Sequence, residues 1–192
     1  VANSLVKKNI WIMPNPGDSG SALGCIPAVT KKKLDWQGPF LGTNIEGEYP
    51  VDSIIKEIMS QDMCGVANGR AEYGPRALGN RSLLADPRGD DVKNKVNMIK
   101  KRQEFRPFAP AILEEDVHEY FEMPVRRSPY MQFVAKCKHP YDFPAIVHKD
   151  GTSRVQTVSE KDNPGFYNLL KTWKDKTGCP MLLNTSLNIK GK

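Results

Sequence analysis

The residues most able to do chemistry are concentrated between positions 69 and 82, where three arginines and three glycines share fourteen positions. Glycine lets a backbone approach a ligand closely, and the planar guanidinium of arginine matches phosphate or carboxylate. Asn80 and Arg81 stand where a P-loop requires Lys and then Ser, so a P-loop is rejected. The pattern favours a phosphate-binding turn; the structural alternative is a turn whose arginines pair with Glu72 or Asp86.

A second group of cations precedes a proline-bearing stretch. Lys100, Arg102 and Arg106 follow one another at the end of a helical pattern. They could face a triphosphate or another phosphorylated ligand. Because a helix C-terminus favours cations on its own account, a purely structural role stays open.

Two strand-like stretches carry further polar side chains. Arg154 and Gln156 alternate along one of them and therefore point the same way, toward either a cleft or solvent. Small polar residues 184–188 follow a buried strand, where ligands of α/β sheets commonly bind. Ser186 is disfavoured as a covalent nucleophile, since no G-x-S-x-G elbow surrounds it.

Metal-binding candidates are few. Asp18 lies in a Pro-Gly-Asp-Ser-Gly run and is either a ligand for a metal or a turn and helix cap. The three histidines show no ligand spacing and are predicted to be structural or surface residues.

Composition limits the possible partners. The chain has a net charge of +6 and a pI near 9.1, which suits an anionic partner such as nucleic acid, an acidic surface or a phosphorylated small molecule. No apolar run is long enough to span a membrane, and no secretory signal is evident, so we expect a cytoplasmic protein. Its four cysteines form no C-x-x-C pair and are predicted to be reduced and mostly buried. Because there is no initiator Met, we expect a fragment.

Hydrophobic periodicity predicts mixed helices and strands without strict alternation, hence an α/β fold with a mixed sheet. Residues 31–47 are predicted to be a loop-like linker. Five helices are predicted: one from Ser21, one capped by Asp52, one opened by Asp90 and Asp91, an acidic helix over 114–121, and one from Asn163-Pro164 to Gly178. In the second helix the residues predicted to be buried are Ile54, Ile55, Ile58 and Met59, and in the third they are Val92, Val96 and Ile99. In the last helix they are Phe166, Leu169, Leu170 and Trp173. The predicted strands are 130–136, 153–158 and 181–183.

Several of these stretches, in this order, resemble the carbamoyltransferase family of nodulation factors and antibiotics, the NodU/CmcH type. Two small departures are Gln103, where the family commonly has an acidic residue, and Ala71, where it has a bulkier one. The resemblance covers nearly the whole chain, and ordered motifs are more specific than any one of them. The matching segments are 16–24, 69–82, 85–88, 99–110, 150–158 and 182–188.

The resemblance implies a two-domain enzyme. Residues 1–30 would be the tail of an N-terminal actin-like domain that transfers the carbamoyl group, 31–47 the linker, and 48–192 a YrdC-like domain truncated at its C-terminus. Asp18 would be one metal ligand, with Fe or another divalent metal expected in the complete N-terminal domain. The histidines of the family's H-x-x-x-H pattern are not in this chain.

The activity implied by the resemblance is O-carbamoyl transfer. The C-terminal domain would convert carbamoyl phosphate and ATP, with Mg²⁺, into carbamoyl adenylate, and the N-terminal domain would pass the carbamoyl group to an acceptor hydroxyl. By position in the motifs, the expected catalytic residues are Arg76, Lys100, Arg154 and Ser186. The expected cofactor-binding residues are Arg81, Arg106 and Asn188.

Two other functions stay open on the sequence alone. The basic charge would suit an RNA-binding module, although the aromatic and basic interleaving of RNA-recognition domains is missing. A nucleotide-sensing domain without turnover is the other alternative. Membrane binding is not expected, and a homodimer is one of the open oligomeric states.

Overall fold

The structure, a computed structural model, describes residues 12–89, 91–103, 106 and 108–189. Helices and short strands alternate irregularly along this part of the chain. The α-helices are α1 (Asp18–Thr30), α2 (Val51–Gln61), α3 (Val92–Lys100), α4 (Val117–Tyr120) and α5 (Pro164–Thr177). The strands are β1 (Phe40–Ile45), β2 (Met63–Ala67), β3 (Gly69–Glu72), β4 (Arg81–Ala85), β5 (Ala109–Leu113), β6 (Phe121–Glu122), β7 (Phe133–Cys137), β8 (Thr152–Val158) and β9 (Met181–Ser186).

Seven of these strands form one twisted sheet in the order β2-β4-β9-β5-β8-β7-β6, while β1 and β3 pair separately. Strands β5 and β8 run parallel, and the other paired strands of both sheets run antiparallel. All five residues of β5 are buried, which places this strand at the centre of the core. The predicted α/β class, with a mixed sheet and flanking helices, is confirmed.

Helix α5 forms as its sequence predicts. The Asn163 side chain accepts a hydrogen bond from the backbone N–H of Phe166 at 3.1 Å, and Pro164 occupies the first helical position. Gly178 ends the helix at a φ of +73°, a conformation that glycine adopts without strain. The predicted apolar stripe is buried against α2 and the central strands. Its members are Phe166, Leu169, Leu170 and Trp173.

Helix α2 departs from the prediction at two places. It begins at Val51 after Pro50, and Asp52 lies inside the first turn and not at the cap. A carboxylate in the first turn still interacts favourably with the helix dipole. Met59 was predicted to be buried but is 55% exposed. The buried stripe consists of Ile54, Ile55 and Ile58.

The predicted linker contains a strand. Phe40–Ile45 forms β1 and pairs with β3, so the prediction of a loop over 31–47 is wrong for these residues. The sequence hides this strand because two glycines flank it and Gly42 lies within it, and glycine is depleted in strands. The wider assignment of residues 1–30, 31–47 and 48–192 to separate units stays a prediction.

Smaller boundary differences follow local geometry. The predicted acidic helix is a 3₁₀ turn over Glu114–Asp116 followed by α4, and Phe121 already belongs to β6. The strand predicted from residue 130 begins at Phe133, since Met131 adopts a φ of +56°. The strand predicted over 181–183 continues to Ser186. The helix predicted from Ser21 begins at Asp18.

Among the described residues, no helix is both long and apolar enough to cross a bilayer.

The four cysteines are free thiols. Cys137 and Cys179 are buried, whereas Cys64 is partly buried and Cys25 is exposed. Asp90, predicted to open α3, lies outside the described residues.

Candidate anion-binding site

A cationic groove lies at one edge of the sheet. It consists of two cavities of about 270 and 410 Å³ that share Arg102, Arg106 and Ser186. We use the name cationic groove for the two cavities together. None of the lining residues that the structure describes is Asp or Glu. The lining residues with charge or hydrogen-bonding side chains are Arg76, Lys100, Lys101, Arg102, Gln103, Arg106, Arg154, Asn184, Thr185, Ser186 and Asn188.

The sheet topology brings two of the sequence motifs together. Strand β9 is antiparallel to β5, and β5 is parallel to β8. The carboxyl end of β9 therefore meets the amino ends of β5 and β8 at one edge of the sheet. This places Ser186 beside the start of β5 and on the same edge as Arg154, although residues 154 and 186 are far apart in sequence.

The glycine- and arginine-rich loop, residues 73–80, contributes Arg76 to the lining of the groove. Its conformation is set by Glu72, whose Oε1 accepts backbone N–H groups of Leu78 at 2.7 Å, Asn80 at 2.9 Å and Arg81 at 3.3 Å. These amides are therefore occupied by a carboxylate of the protein. The loop presents the Arg76 side chain to a ligand but does not offer these three amides as a phosphate cradle.

On its other side, the loop packs closely against Phe166 of α5. Gly79 has a φ of +118°, and a Cβ atom at this position would lie 2.5 Å from the ring of Phe166. The Gly79 carbonyl also accepts a hydrogen bond from the Tyr49 hydroxyl at 2.7 Å. The loop is thereby fixed on α5.

Loss of the Glu72 carboxylate should loosen this loop. We expect Glu72→Ala to lower the free energy of unfolding by about 1 to 3 kcal/mol, because three partly buried N–H groups lose a charged acceptor. Chemical denaturation of the variant, compared with Glu46→Ala at an exposed glutamate, measures the effect. Equal stability of the two variants would show that Glu72 does not organise the loop.

Helix α3 positions Lys100 in the groove. Val92, Val96 and Lys100 are spaced four residues apart and share the buried face of the helix. Lys100 is only 7% exposed, whereas Ile99, predicted to be buried, is 49% exposed. The prediction for Ile99 is wrong because the buried stripe continues into the groove, where a cation takes the next position.

The ammonium group of Lys100 organises the segment after β9. Its Nζ donates to the Ser186 carbonyl at 2.5 Å, to the Asn188 carbonyl at 2.9 Å and to Asn188 Oδ1 at 2.9 Å, with Ser186 Oγ at 3.3 Å. Ser186 Oγ in turn donates to Asn188 Oδ1. These contacts bring three predicted site residues into one hydrogen-bonded cluster.

The surroundings of Arg154 lower the pKa of its guanidinium group. Burial, and then the charges of Arg76 and Arg102, lower the pKa of Arg154 to about 10. No described group accepts a hydrogen bond from its buried Nε. Burial is the larger cause of the lowered pKa and the two neighbouring guanidinium groups add to it, so a bound anion would favour the charged form of Arg154.

The neighbouring cations are perturbed in the same direction. Burial and the nearby Arg102 lower the pKa of Lys100, and burial and the nearby Arg106 lower the pKa of Arg102. The Arg102 guanidinium also stacks 5.0 Å from the centre of the Phe108 ring. Clustered ionisable groups with perturbed pKa values in a cleft are typical of functional sites.

Asn184, which lines the cationic groove, forms a buried amide pair with Gln156, and neither residue was among the expected site residues. Asn184 Nδ2 donates to the Ala77 carbonyl at 3.1 Å and to Gln156 Oε1 at 2.7 Å. Gln156 Nε2 donates to the Leu78 carbonyl at 3.2 Å. The signal in the sequence was the alternation of Arg154 with Gln156, but nothing there showed that Asn184 would face them.

Two predicted site residues lie elsewhere. The Arg81 guanidinium donates to the carbonyls of Thr43, Asn68, Gly69 and Asn80 and does not line the groove. These contacts join β1, β3 and β4, so the structure gives Arg81 a connecting position.

Asp18 lies in the first turn of α1, and no group of three or more potential metal ligands occurs in the described part of the chain. Its segment does approach the loop: the Tyr73 hydroxyl donates to the Ser19 carbonyl at 2.5 Å. Asp18 itself does not line the groove, and its role as a metal ligand stays a prediction.

Asp86 and His148, which were considered for structural roles, both make local contacts. Asp86 pairs with Arg88 at 2.7 Å and not with an arginine of the glycine-rich loop. His148 Nδ1 contacts Thr152 Oγ1 at 2.9 Å, a local contact within a turn.

The domain thus combines an α/β fold with a groove on which several cations converge. The family model for the C-terminus of carbamoyltransferases matches residues 55–192. The chain therefore belongs to the carbamoyltransferase family, as its motifs predicted.

Curated relatives support this assignment. The chain is 38% identical to the nodulation protein NolO of Bradyrhizobium diazoefficiens over 94% of its length, and 42% identical to the nodulation protein NolNO of Sinorhizobium fredii over 88%. It is 35% identical to the 3'-hydroxymethylcephem-O-carbamoyltransferase of Amycolatopsis lactamdurans over 96%. The chain spans 38%, 25% and 38% of these three proteins, respectively.

Proposed function

We propose that this domain binds carbamoyl phosphate and ATP in the cationic groove and forms carbamoyl adenylate, from which the carbamoyl group passes to an acceptor hydroxyl in an N-terminal domain. The observation that carries the proposal is the convergence of Arg76, Arg102, Arg106 and Arg154 on one groove whose described lining has no carboxylate. Membership of the carbamoyltransferase family supports carbamoyl as the transferred group.

The reaction requires two bond exchanges. Water attacks the phosphorus of carbamoyl phosphate, so the P–O bond breaks and carbamate and inorganic phosphate form. A carbamate oxygen then attacks the α-phosphorus of ATP, a new O–P bond forms, and pyrophosphate leaves with the electron pair of the broken bond. Both steps move negative charge among phosphate oxygens, and positioned cations stabilise such transition states.

The residues of the groove divide into two roles. Arg76 and Arg154 face the ligand from the loop and from β8, and they would bind phosphate oxygens through their guanidinium groups. Lys100 would act mainly as a positioning residue, since its Nζ already holds Ser186 and Asn188. Arg106 would donate to the same anion, and Ser186 would do so once its hydroxyl turns away from Asn188 Oδ1, to which it donates in the structure.

Mg²⁺ would enter this site with the nucleotide. The described lining offers cations and neutral polar groups and no carboxylate ligand. A divalent cation would therefore be held by the phosphates of ATP, which is the usual mode for Mg²⁺ in nucleotide sites.

Arg76 and Arg70 provide a matched pair of variants. Both are exposed arginines of the same glycine-rich stretch, but only Arg76 lines the groove. We expect Arg76→Ala to weaken binding of pyrophosphate about ten- to a hundredfold, through loss of charge-assisted hydrogen bonds. Arg70→Ala should change it less than about twofold, because exposed charges interact weakly through solvent. Calorimetric titration measures both, and equal effects of the two substitutions would remove Arg76 from the site.

Anion binding should be lost at high pH. The pKa of Arg154 is about 10, so its charge is present below that value and disappears above it. Sulfate, whose own charge is constant over this range, should bind the chain more weakly at pH 11 than at pH 8 by about tenfold. Titration with circular dichroism as the control for folding measures this. A constant affinity would show that Arg154 is not in contact with the anion.

The alternative functions predict other outcomes. RNA binding that falls steeply with salt, without nucleotide binding, would favour a nucleic-acid module. Nucleotide binding without any release of pyrophosphate would favour a sensor domain.

A further inference from the structure

Among the residues that the structure describes, none is a hydrogen-bond partner of one side-chain atom of Asn184. The residue is 2% exposed and lines the cationic groove from β9. Its Nδ2 donates two hydrogen bonds, whereas no described group donates to its buried Oδ1. An unpaired buried acceptor is costly, and in a binding site it indicates a group that the ligand supplies.

The orientation of this amide is fixed by its neighbours. Gln156 Nε2 donates to the Leu78 carbonyl, so Gln156 Oε1 is the atom that faces Asn184. The second partner of Asn184 is the Ala77 carbonyl, which can only accept. A flipped Asn184 would place its oxygen against two acceptors. Oδ1 is therefore held as an acceptor beside the groove.

The ligand must then carry a donor as well as negative charge. The arginines and Lys100 around Asn184 can only donate hydrogen bonds, and they suit phosphate oxygens. An acceptor at the floor of the same groove suits an N–H group. A carbamoyl phosphate molecule joins both features, since its –NH₂ group is one carbon atom away from its phosphate ester oxygen.

We propose that Asn184 Oδ1 accepts a hydrogen bond from the –NH₂ group of the carbamoyl donor and so determines which acyl phosphate the site takes. This inference rests on the proposed function. It makes Asn184 a specificity-determining residue, while the arginines supply most of the affinity for phosphate.

Acetyl phosphate is the matched probe. It has the charge and nearly the shape of carbamoyl phosphate, but a methyl group replaces –NH₂ and leaves Asn184 Oδ1 unpaired. Sites with a buried polar group reject analogues that lack its partner. The wild-type chain should therefore bind carbamoyl phosphate about tenfold or more tightly than acetyl phosphate.

The test compares three ligands on the full chain and on Asn184→Ala. Calorimetric titration with carbamoyl phosphate, acetyl phosphate and pyrophosphate gives their dissociation constants. In the variant, the preference for carbamoyl phosphate over acetyl phosphate should fall to about twofold or less, with the affinity for pyrophosphate within about threefold of wild type. A merely structural role of Asn184 would weaken all three ligands together.

Several results would overturn the inference. A wild-type chain that binds both acyl phosphates equally would exclude it without any variant, even if Asn184→Ala failed to fold. An unchanged preference in a folded variant would exclude it too, and in both cases pyrophosphate binding would leave the proposed function standing. If neither carbamoyl phosphate nor pyrophosphate binds the wild-type chain, the proposed function fails, and the inference fails with it.

Discussion

Replacement of Arg154 by methionine is expected to lower carbamoyl-phosphate-dependent pyrophosphate release about a hundred- to a thousandfold, the usual effect of removing one preorganised donor for transition-state charge. The same substitution should leave the stability of the free chain unchanged or raise it. The Arg154 guanidinium is crowded by Arg76 and Arg102, and Met131 Sδ already lies 3.9 Å from Arg154 Nη2. An apolar side chain of similar length removes this repulsion.

The two readouts separate function from folding at this position. Arg126→Met, at an exposed arginine that does not line the groove, is the control and should change neither activity nor melting temperature. Full activity of Arg154→Met would remove the residue from the site. A melting temperature well below that of the wild type would give Arg154 a structural role.

Lys100→Met should have the second-largest effect, and it should act differently. The substitution removes the donor that holds the carbonyls of Ser186 and Asn188. We expect the free energy of unfolding to fall by about 1 to 3 kcal/mol, because these partly buried acceptors lose a charged partner. We also expect pyrophosphate release to fall by about a hundredfold, since Ser186 is no longer positioned.

Thermal unfolding and single-turnover assays of Lys100→Met check this expectation. Lys171→Met, at an exposed lysine of α5, is the control for a change of charge. A variant that loses activity without losing stability would make Lys100 a direct anion ligand. Retention of both properties would contradict the positioning role.

The contrast between Lys100 and Ile99 shows which kind of burial hydrophobic periodicity does not predict. Apolar periodicity predicted the helix and the burial of Val92 and Val96, and both predictions are confirmed. The same periodicity predicted that Ile99 would be buried, whereas in the structure Ile99 is exposed and Lys100 is buried. A hydrophobic pattern cannot anticipate a buried cation, because its burial depends on acceptors from a segment 86 and 88 residues away.

Glu72 illustrates a second limit. Its motif predicted a carboxylate near several arginines, with ion pairing as the structural alternative. In the structure Glu72 accepts backbone N–H groups of its own loop, and Arg81 is satisfied by backbone carbonyls. Which partner a charged side chain takes is decided by loop geometry, and a linear pattern does not contain that information.

Six of the residues expected in the site lie together in the structure, whereas Arg81 and Asp18 lie elsewhere. Arg76, Lys100, Arg106, Arg154, Ser186 and Asn188 were expected to share a site, and all six line the cationic groove. Their roles in binding and catalysis stay predictions. The buried amide of Asn184 could not be selected beforehand, because its one unpaired atom becomes evident only when β8, β9 and the glycine-rich loop are packed together.

The most direct test of the account is the release of pyrophosphate from ATP and Mg²⁺ by the full chain, with and without carbamoyl phosphate, beside its Arg154→Met variant. We expect release that requires carbamoyl phosphate and is lost in the variant. Release that does not depend on carbamoyl phosphate, or no release at all from a folded chain that binds both ligands, would contradict carbamoyl adenylation in this domain.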